Sequence, residues 1–183
     1  PSGTAQRPSD VVTAMDGTTV EIENTDAEGR LVMADGICYA KKELSTPPTH
    51  IITIATLTGA SLVSLGTKRC PFFSNNVSVS NYIKRSAKFV GERYWEMPCG
   101  EEFVEAIKST VADVLNGSNG NPAGSSTAAA FLRYFAENNS SSLAWAHVDI
   151  AGTSRSEGKS KSSTGFSTPT LVHMLESKDA FVV

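Results

Sequence analysis

The sequence predicts an α/β layered domain. Short β-favouring or continuously apolar runs alternate with segments of helical spacing along all 183 residues. The apolar run His50 to Ala55 leads directly into the turn Thr56-Leu57-Thr58-Gly59-Ala60, the strand–turn–helix passage at which open α/β sheets place ligands. An earlier junction, Asn24 to Leu31, carries acids and a cation. The length suits one domain with its own core, and 40% hydrophobic with 19% charged residues describes an ordinary globular chain.

Residues 1 to 10 have loop composition, and the start Pro1-Ser2-Gly3, without Met, reads as mid-loop in a fragment of a longer chain. Val11 to Met15 and Thr18 to Ile22 flank Asp16-Gly17 and form a hairpin. Leu31, Ala34 and Cys38 mark a helix from Arg30 to Lys42, ended before Pro47-Pro48. His50 to Ala55 is a strand buried on both faces, and Ser61 to Leu65 is helical. A polar helix spans Asn81 to Glu92, and Trp95-Glu96-Met97-Pro98 breaks the chain. Phe103, Ile107 and Val111 mark an amphipathic helix ending near Asn116. The loop 116–124 holds three glycines; Ser125 or Ser126 caps the next helix, with its core stripe at Ala128, Phe131, Leu132 and Phe135. Leu143 to Ile150 is a strand, 154–167 a mobile Ser/Lys/Gly-rich segment, and Thr168 with Pro169 opens a last helix through Leu175.

Composition narrows the function classes. A net charge of −3 gives no basic face for nucleic acid. No apolar run approaches the ~20 residues of a membrane span, and no secretory signal pattern is present. Cys38, Cys70 and Cys99 are odd in number and far apart, which argues for reduced thiols in a cytoplasmic setting rather than a disulfide framework or structural zinc.

The junction Asn24-Thr25-Asp26-Ala27-Glu28-Gly29-Arg30-Leu31 concentrates the chemistry. In an extended backbone Asp26 and Glu28 share one face with Asn24 beside them. Hard carboxylate oxygens suit magnesium or manganese and tolerate zinc, and one acid could bridge two ions about 3.5–4 Å apart. Spacing alone favours the simpler reading, acids that offset a helix dipole with Arg30 as a surface ion-pair partner.

The same eight residues resemble the signature of the leucine aminopeptidase (cytosol aminopeptidase) family of two-metal peptidases. The resemblance extends through Arg7-Pro8-Ser9-Asp10-Val11-Val12, Ala55 to Ala60, Pro122-Ala123-Gly124, Thr127-Ala128-Ala129 and Trp145 to Gly152. It implies a layered α/β/α metallopeptidase domain with a mixed central sheet, of which this chain is the C-terminal part, 1–183, the N-terminal portion being absent. It further implies removal of N-terminal, leucine-like residues from peptides. Asp26 and Glu28 would coordinate two divalent ions (zinc, manganese or magnesium), and Arg30 would hold a bicarbonate acting as general base. Leu57 would offer its carbonyl and Gly59 its amide to the substrate; Thr56 and Gly59 would line the pocket for the N-terminal side chain, with Asn24 and Ala27 toward the leaving group. A homo-hexamer with sites facing an inner cavity is also implied. The family's remaining metal ligands and its catalytic lysine fall upstream of Pro1, so the fragment alone is expected to be inactive. Ser9 stands where glycine is usual, Gly120-Asn121-Pro122 where Gly-Arg-Pro is common, and 154–167 is short and ends in Gly165-Phe166-Ser167.

Other candidates are weaker. Ser125-Ser126 lacks a nucleophile elbow, and 116–124 lacks the Gly-Lys-Ser/Thr ending of a phosphate loop. His147 reads as a satisfied buried histidine; His50 and His173 have no partner in sequence, Asp35 and Asp149 have no ligand spacing, and Lys159 and Lys161 sit on a solvated loop. The competing readings are a catalytically incomplete scaffold or nucleic-acid-binding family member, and a metal-dependent phosphoryl-transfer module.

Overall fold

The structure is a computed structural model and describes residues 2–118, 120, 122–138, 143–158 and 161–177. The chain forms two compact units, one from residues 1–51 with 99–143, the other from 52–98 with 144–183.

In the first unit, β1 (Val11–Thr13) and β2 (Thr19–Glu21) form the expected antiparallel hairpin, with Val12 opposite Val20. Gly17 supplies the positive φ of 95° that the turn requires. Ser9 also has a positive φ, 71°. A left-handed backbone is cheap for glycine and strained for serine, which gives a physical reason for glycine at this position.

Helix α1 (Glu28–Lys42) starts two residues before the expected Arg30 and buries Ala34, Ile37 and Cys38. It packs against a later helix of the same unit, Gly124–Glu137. The Lys41 ammonium ties the pair by donating to the Phe135 carbonyl at 2.8 Å, the Ala136 carbonyl at 3.1 Å and the Asn138 carbonyl at 2.5 Å. These carbonyls end a helix, where a cation offsets the dipole.

Strand β3 (His50–Ala55) has the expected bounds but is half-buried along its length rather than buried on both faces, and α2 (Gly59–Leu65) is longer than expected by its first two residues. Three strands escaped the sequence reading, two of them in the second unit. β4 (Cys70–Ser74) is a buried strand whose Pro71 resembles loop composition; the ladder to the strand at Ala144–Asp149 begins only at Phe72, so the missing proline N–H lies outside it. β5 (Tyr94–Glu96) replaces the expected break and lies parallel to β4. Between them, α3 (Val77–Val90) is capped by the Asn76 side chain on the Val79 amide and ended by left-handed Gly91. It begins four residues earlier than Asn81, since the alternation Val77-Ser78-Val79-Ser80 does not show a helical period.

The expected long helix from Phe103 toward Asn116 is corrected. Helix α4 covers only Glu101–Glu105, and Val114–Leu115 form β6, parallel to β2. The Ser109 hydroxyl accepts the amides of Val111 and Ala112, a local alternative to helical bonding, and the open edge of β2 takes the next residues. Helix α5 (Gly124–Glu137) begins after Ala123, which is left-handed with φ 67°. Ser125 and Ser126 are buried inside the helix rather than capping it.

Strand β7 is Ala144–Asp149, and the second unit's sheet has the order β3-β7-β4-β5, with β4 antiparallel to β7. That sheet is mixed, β4 being parallel to β5, as is the three-stranded β1-β2-β6 sheet of the first unit. Phe72, Val79, Ile83, Ala146, Val148 and Met174 form the core of the second unit.

The described part of 154–167 is hydrogen-bonded rather than loose: Ser156 N donates to Ser162 O at 2.8 Å and Thr164 N to Ser154 O at 3.0 Å. Lys159 lies outside the described residues, while Lys161 is exposed as expected. Helix α6 (Thr168–Glu176) takes Ser167, not Thr168, as its N-cap residue. Ser167 has φ 78° and makes no capping bond of its own. The Glu92 carboxylate substitutes, accepting Ser167 N at 2.8 Å, Thr170 N at 3.3 Å and Thr170 Oγ1 at 2.5 Å.

Candidate functional site

The residues singled out in sequence fall in both units. In the first, the chain from β2 reaches α1 through a turn at Thr25-Asp26, so Asp26 is not in an extended strand and Glu28 is the first helical residue. The common face expected from a period of two does not apply there. Asn24 makes the turn itself, its Oδ1 accepting the Asp26 amide at 2.9 Å.

Ala27 is buried, Arg30 half-buried, and Asp26 and Glu28 are exposed. Asn24, Ala27 and Arg30 line one cavity of about 360 Å³, together with Asn116, Gly117, Gly124 and Thr127. The lining thus joins the start of α1 to the start of α5, which explains why the two resembling stretches lie a hundred residues apart in sequence.

Asn116 is the residue that sequence reading missed in this half. It is fully buried; its Oδ1 accepts the amides of Glu23 at 2.8 Å and Asn24 at 3.1 Å, and its Nδ2 donates to the Asn24 carbonyl at 2.8 Å. A Cβ on Gly117 beside it would lie 1.6 Å from Glu23 Oε2, so the Glu23 side chain would have to move to admit one. A signal was present only as an asparagine before a glycine-rich loop.

In the second unit, Thr56, Leu57 and Gly59 sit between the end of β3 and the start of α2. Thr58 caps α2, its Oγ1 accepting the Ser61 amide at 3.1 Å. Asp149, which has no ligand spacing in sequence, is buried here and bonds to Leu57 N and Thr58 Oγ1.

The remaining candidates are structural. His147 is fully buried, within 3.0 Å of Thr53 Oγ1 through Nδ1 and stacked on Phe73. All three cysteines are free, and burial pushes the thiols of Cys70 and Cys99 up to about 12 and that of Cys38 to about 11, which makes them poor nucleophiles at neutral pH.

Whether the first-unit residues suit a metal is a question of donor chemistry. Asp26 and Glu28 offer hard oxygens on exposed side chains. Among the described residues no group of three or more His, Cys, Asp or Glu could hold an ion. The pair therefore fits part of a coordination shell.

The model of the catalytic domain of the cytosol aminopeptidase family matches residues 1–172. The chain belongs to the cytosol aminopeptidase family. A probable cytosol aminopeptidase of Chlorobaculum parvum is 48% identical over 180 residues, covering 97% of this chain and 35% of that protein. One of Halorhodospira halophila is 42% identical over 175 residues, covering 96% and 34%. The chain thus spans about a third of the length of the curated cytosol aminopeptidases it matches.

Solved structures agree with the family assignment. A tomato leucine aminopeptidase mutant superposes with a TM-score of 0.84 at 39% identity, covering 94% of this chain and 33% of that one. The bottromycin maturation enzyme BotP in complex with Mn superposes with a TM-score of 0.87 at 32% identity, covering 94% and 38%. The mixed α/β architecture expected from sequence is therefore the cytosol aminopeptidase architecture in part.

Proposed function

We propose that this chain is the C-terminal part of one aminopeptidase catalytic domain, which in the full-length protein releases N-terminal, leucine-like residues from peptides in the cytoplasm. The observation that carries the reading is the family match over residues 1–172 with the whole stretch Asn24–Leu31 intact.

Asp26 and Glu28 would hold divalent ions, and manganese in a solved relative supports that class of metal. Arg30, half-buried on the cavity wall beside Asn24 and Ala27, would hold a bicarbonate. When bound, the ions would polarise the scissile carbonyl and acidify water, and the bicarbonate would supply a base. Leu57 and Gly59 would contact the substrate through backbone carbonyl and amide, with Thr56 near its N-terminal side chain. Asn24 and Ala27 would face the leaving group.

No described helix is long and apolar enough to cross a membrane. The reading extends to a homo-hexamer.

The test uses full-length protein loaded with manganese or zinc and assayed on leucyl amides and short peptides. Hydrolysis abolished by a chelator and restored by metal is expected, as is a loss of at least about tenfold in Arg30→Ala with metal retained. Hydrolysis of phosphate esters instead, or no hydrolysis with metal bound, overturns the reading.

A further inference from the structure

Asp149 closes β7 with its side chain 1% exposed, a position where a carboxylate must be fully hydrogen-bonded. Its Oδ1 accepts the amide of Leu57 at 3.0 Å and that of Ala151 at 3.1 Å. Its Oδ2 accepts the hydroxyl of Thr58 at 2.7 Å. With its proton committed to Asp149, Thr58 Oγ1 keeps lone pairs for the Ser61 amide at 3.1 Å. Ser61 Oγ in turn donates to the Thr58 carbonyl at 2.8 Å.

Peptide planarity turns this network into a statement about two other groups. Holding the Thr58 carbonyl fixes the plane that also carries the Gly59 amide. Holding the Leu57 amide at one end and the Thr58 side chain at the other restricts the Leu57 carbonyl between them. We propose that Asp149 is a positioning residue for the aminopeptidase reaction, setting the directions of the Leu57 carbonyl and the Gly59 amide through its bonds to Leu57 and Thr58. This rests on the aminopeptidase reading above. An acceptor-only carboxylate suits three donors converging on two oxygens, whereas an asparagine could keep the two amides but would present an NH2 to Thr58.

Full-length, metal-loaded protein with Asp149→Asn, Asp149→Ala and Thr58→Val is compared with the parent on a leucyl amide. The expected result is a fall in kcat/KM of about tenfold to a hundredfold in Asp149→Ala and Thr58→Val, carried by kcat. Asp149→Asn is expected to retain more activity than Asp149→Ala, with metal content near the parent's in all three variants and the unfolding midpoint lowered most in Asp149→Ala, which leaves three donors without an acceptor. Thr58→Val decides alone should the Asp149 variants fail to fold. Parental kinetics in these variants, or a loss that only follows lost metal or a collapsed unfolding midpoint, overturns the positioning role while the parent's activity keeps the aminopeptidase reading. A parent without peptidase activity overturns that reading, and the positioning role falls with it.

Discussion

Asn116 holds Asn24 from both sides, accepting its amide at 3.1 Å through Oδ1 and donating to its carbonyl at 2.8 Å through Nδ2. The same Oδ1 takes the Glu23 amide, and Asn24 then turns the chain into Asp26 through its own side chain. One buried amide thus anchors the approach to the proposed metal-binding acids.

Asn116→Ala would leave three backbone groups without their side-chain partner. The loss should be about 2–4 kcal/mol, read from urea unfolding of the full-length protein. Asn116→Asp keeps both acceptor bonds and loses the donor, so it should fall between parent and Ala. Manganese affinity, measured by calorimetry, should weaken in the same order.

Ser9 should be improvable. Its φ of 71° favours glycine, so Ser9→Gly is expected to relieve about 1 kcal/mol of strain and, after the extra entropy of an unfolded glycine, to stabilise by about 0.5 kcal/mol. Ser9→Ala should bring no gain. Paired urea midpoints check this, and a destabilised Gly variant would contradict it.

Glu92 should matter to α6 more than any residue of that helix's own first turn. Glu92→Gln removes the carboxylate that serves Ser167 and Thr170 and should cost about 1–2 kcal/mol. Hydrogen exchange at the first turn of α6 should accelerate while the amides of β7 keep their protection.

Asp113 should give a pH signature. Hydrogen bonds from the Thr19 hydroxyl and amide hold its carboxyl below the ordinary value. A carboxylate lowered in the folded state contributes stability above its unfolded pKa of about 3.9, and that contribution is lost as pH falls through the folded value. Thr19→Val should therefore be less stable than the parent at pH 6 and converge with it in acid. Unfolding midpoints at both pH values measure the difference; a gap unchanged in acid would assign the loss to packing.

What could be read from sequence was local. Asp16-Gly17 names a hairpin because only a few dipeptides accept its turn, and the hairpin is there with Val12 opposite Val20. His50 to Ala55 reads as a strand because its apolar run is too short for a helix, and the bounds are those observed. Asn24 to Leu31 carries the family likeness because acids, glycine and arginine stand in one unbroken order, which composition alone could not supply.

Tertiary structure decided whatever depended on partners far along the chain. Val114 and Leu115 leave a helical pattern because β2 offers an open edge more than ninety residues earlier, a partner that no sequence window contains. Pro71 sits in a strand because its missing N–H precedes the β7 ladder. Asp26 and Glu28 prove to be a turn residue and a first helical residue, so their relation follows the turn and not the period of a strand. Asn116 belongs to no motif, and Asp149, though inside the resembling stretch Trp145 to Gly152, has no ligand spacing. Their importance comes from buried hydrogen bonds to backbone groups about ninety residues away, and such bonds depend on backbone position rather than on the identity of neighbouring side chains.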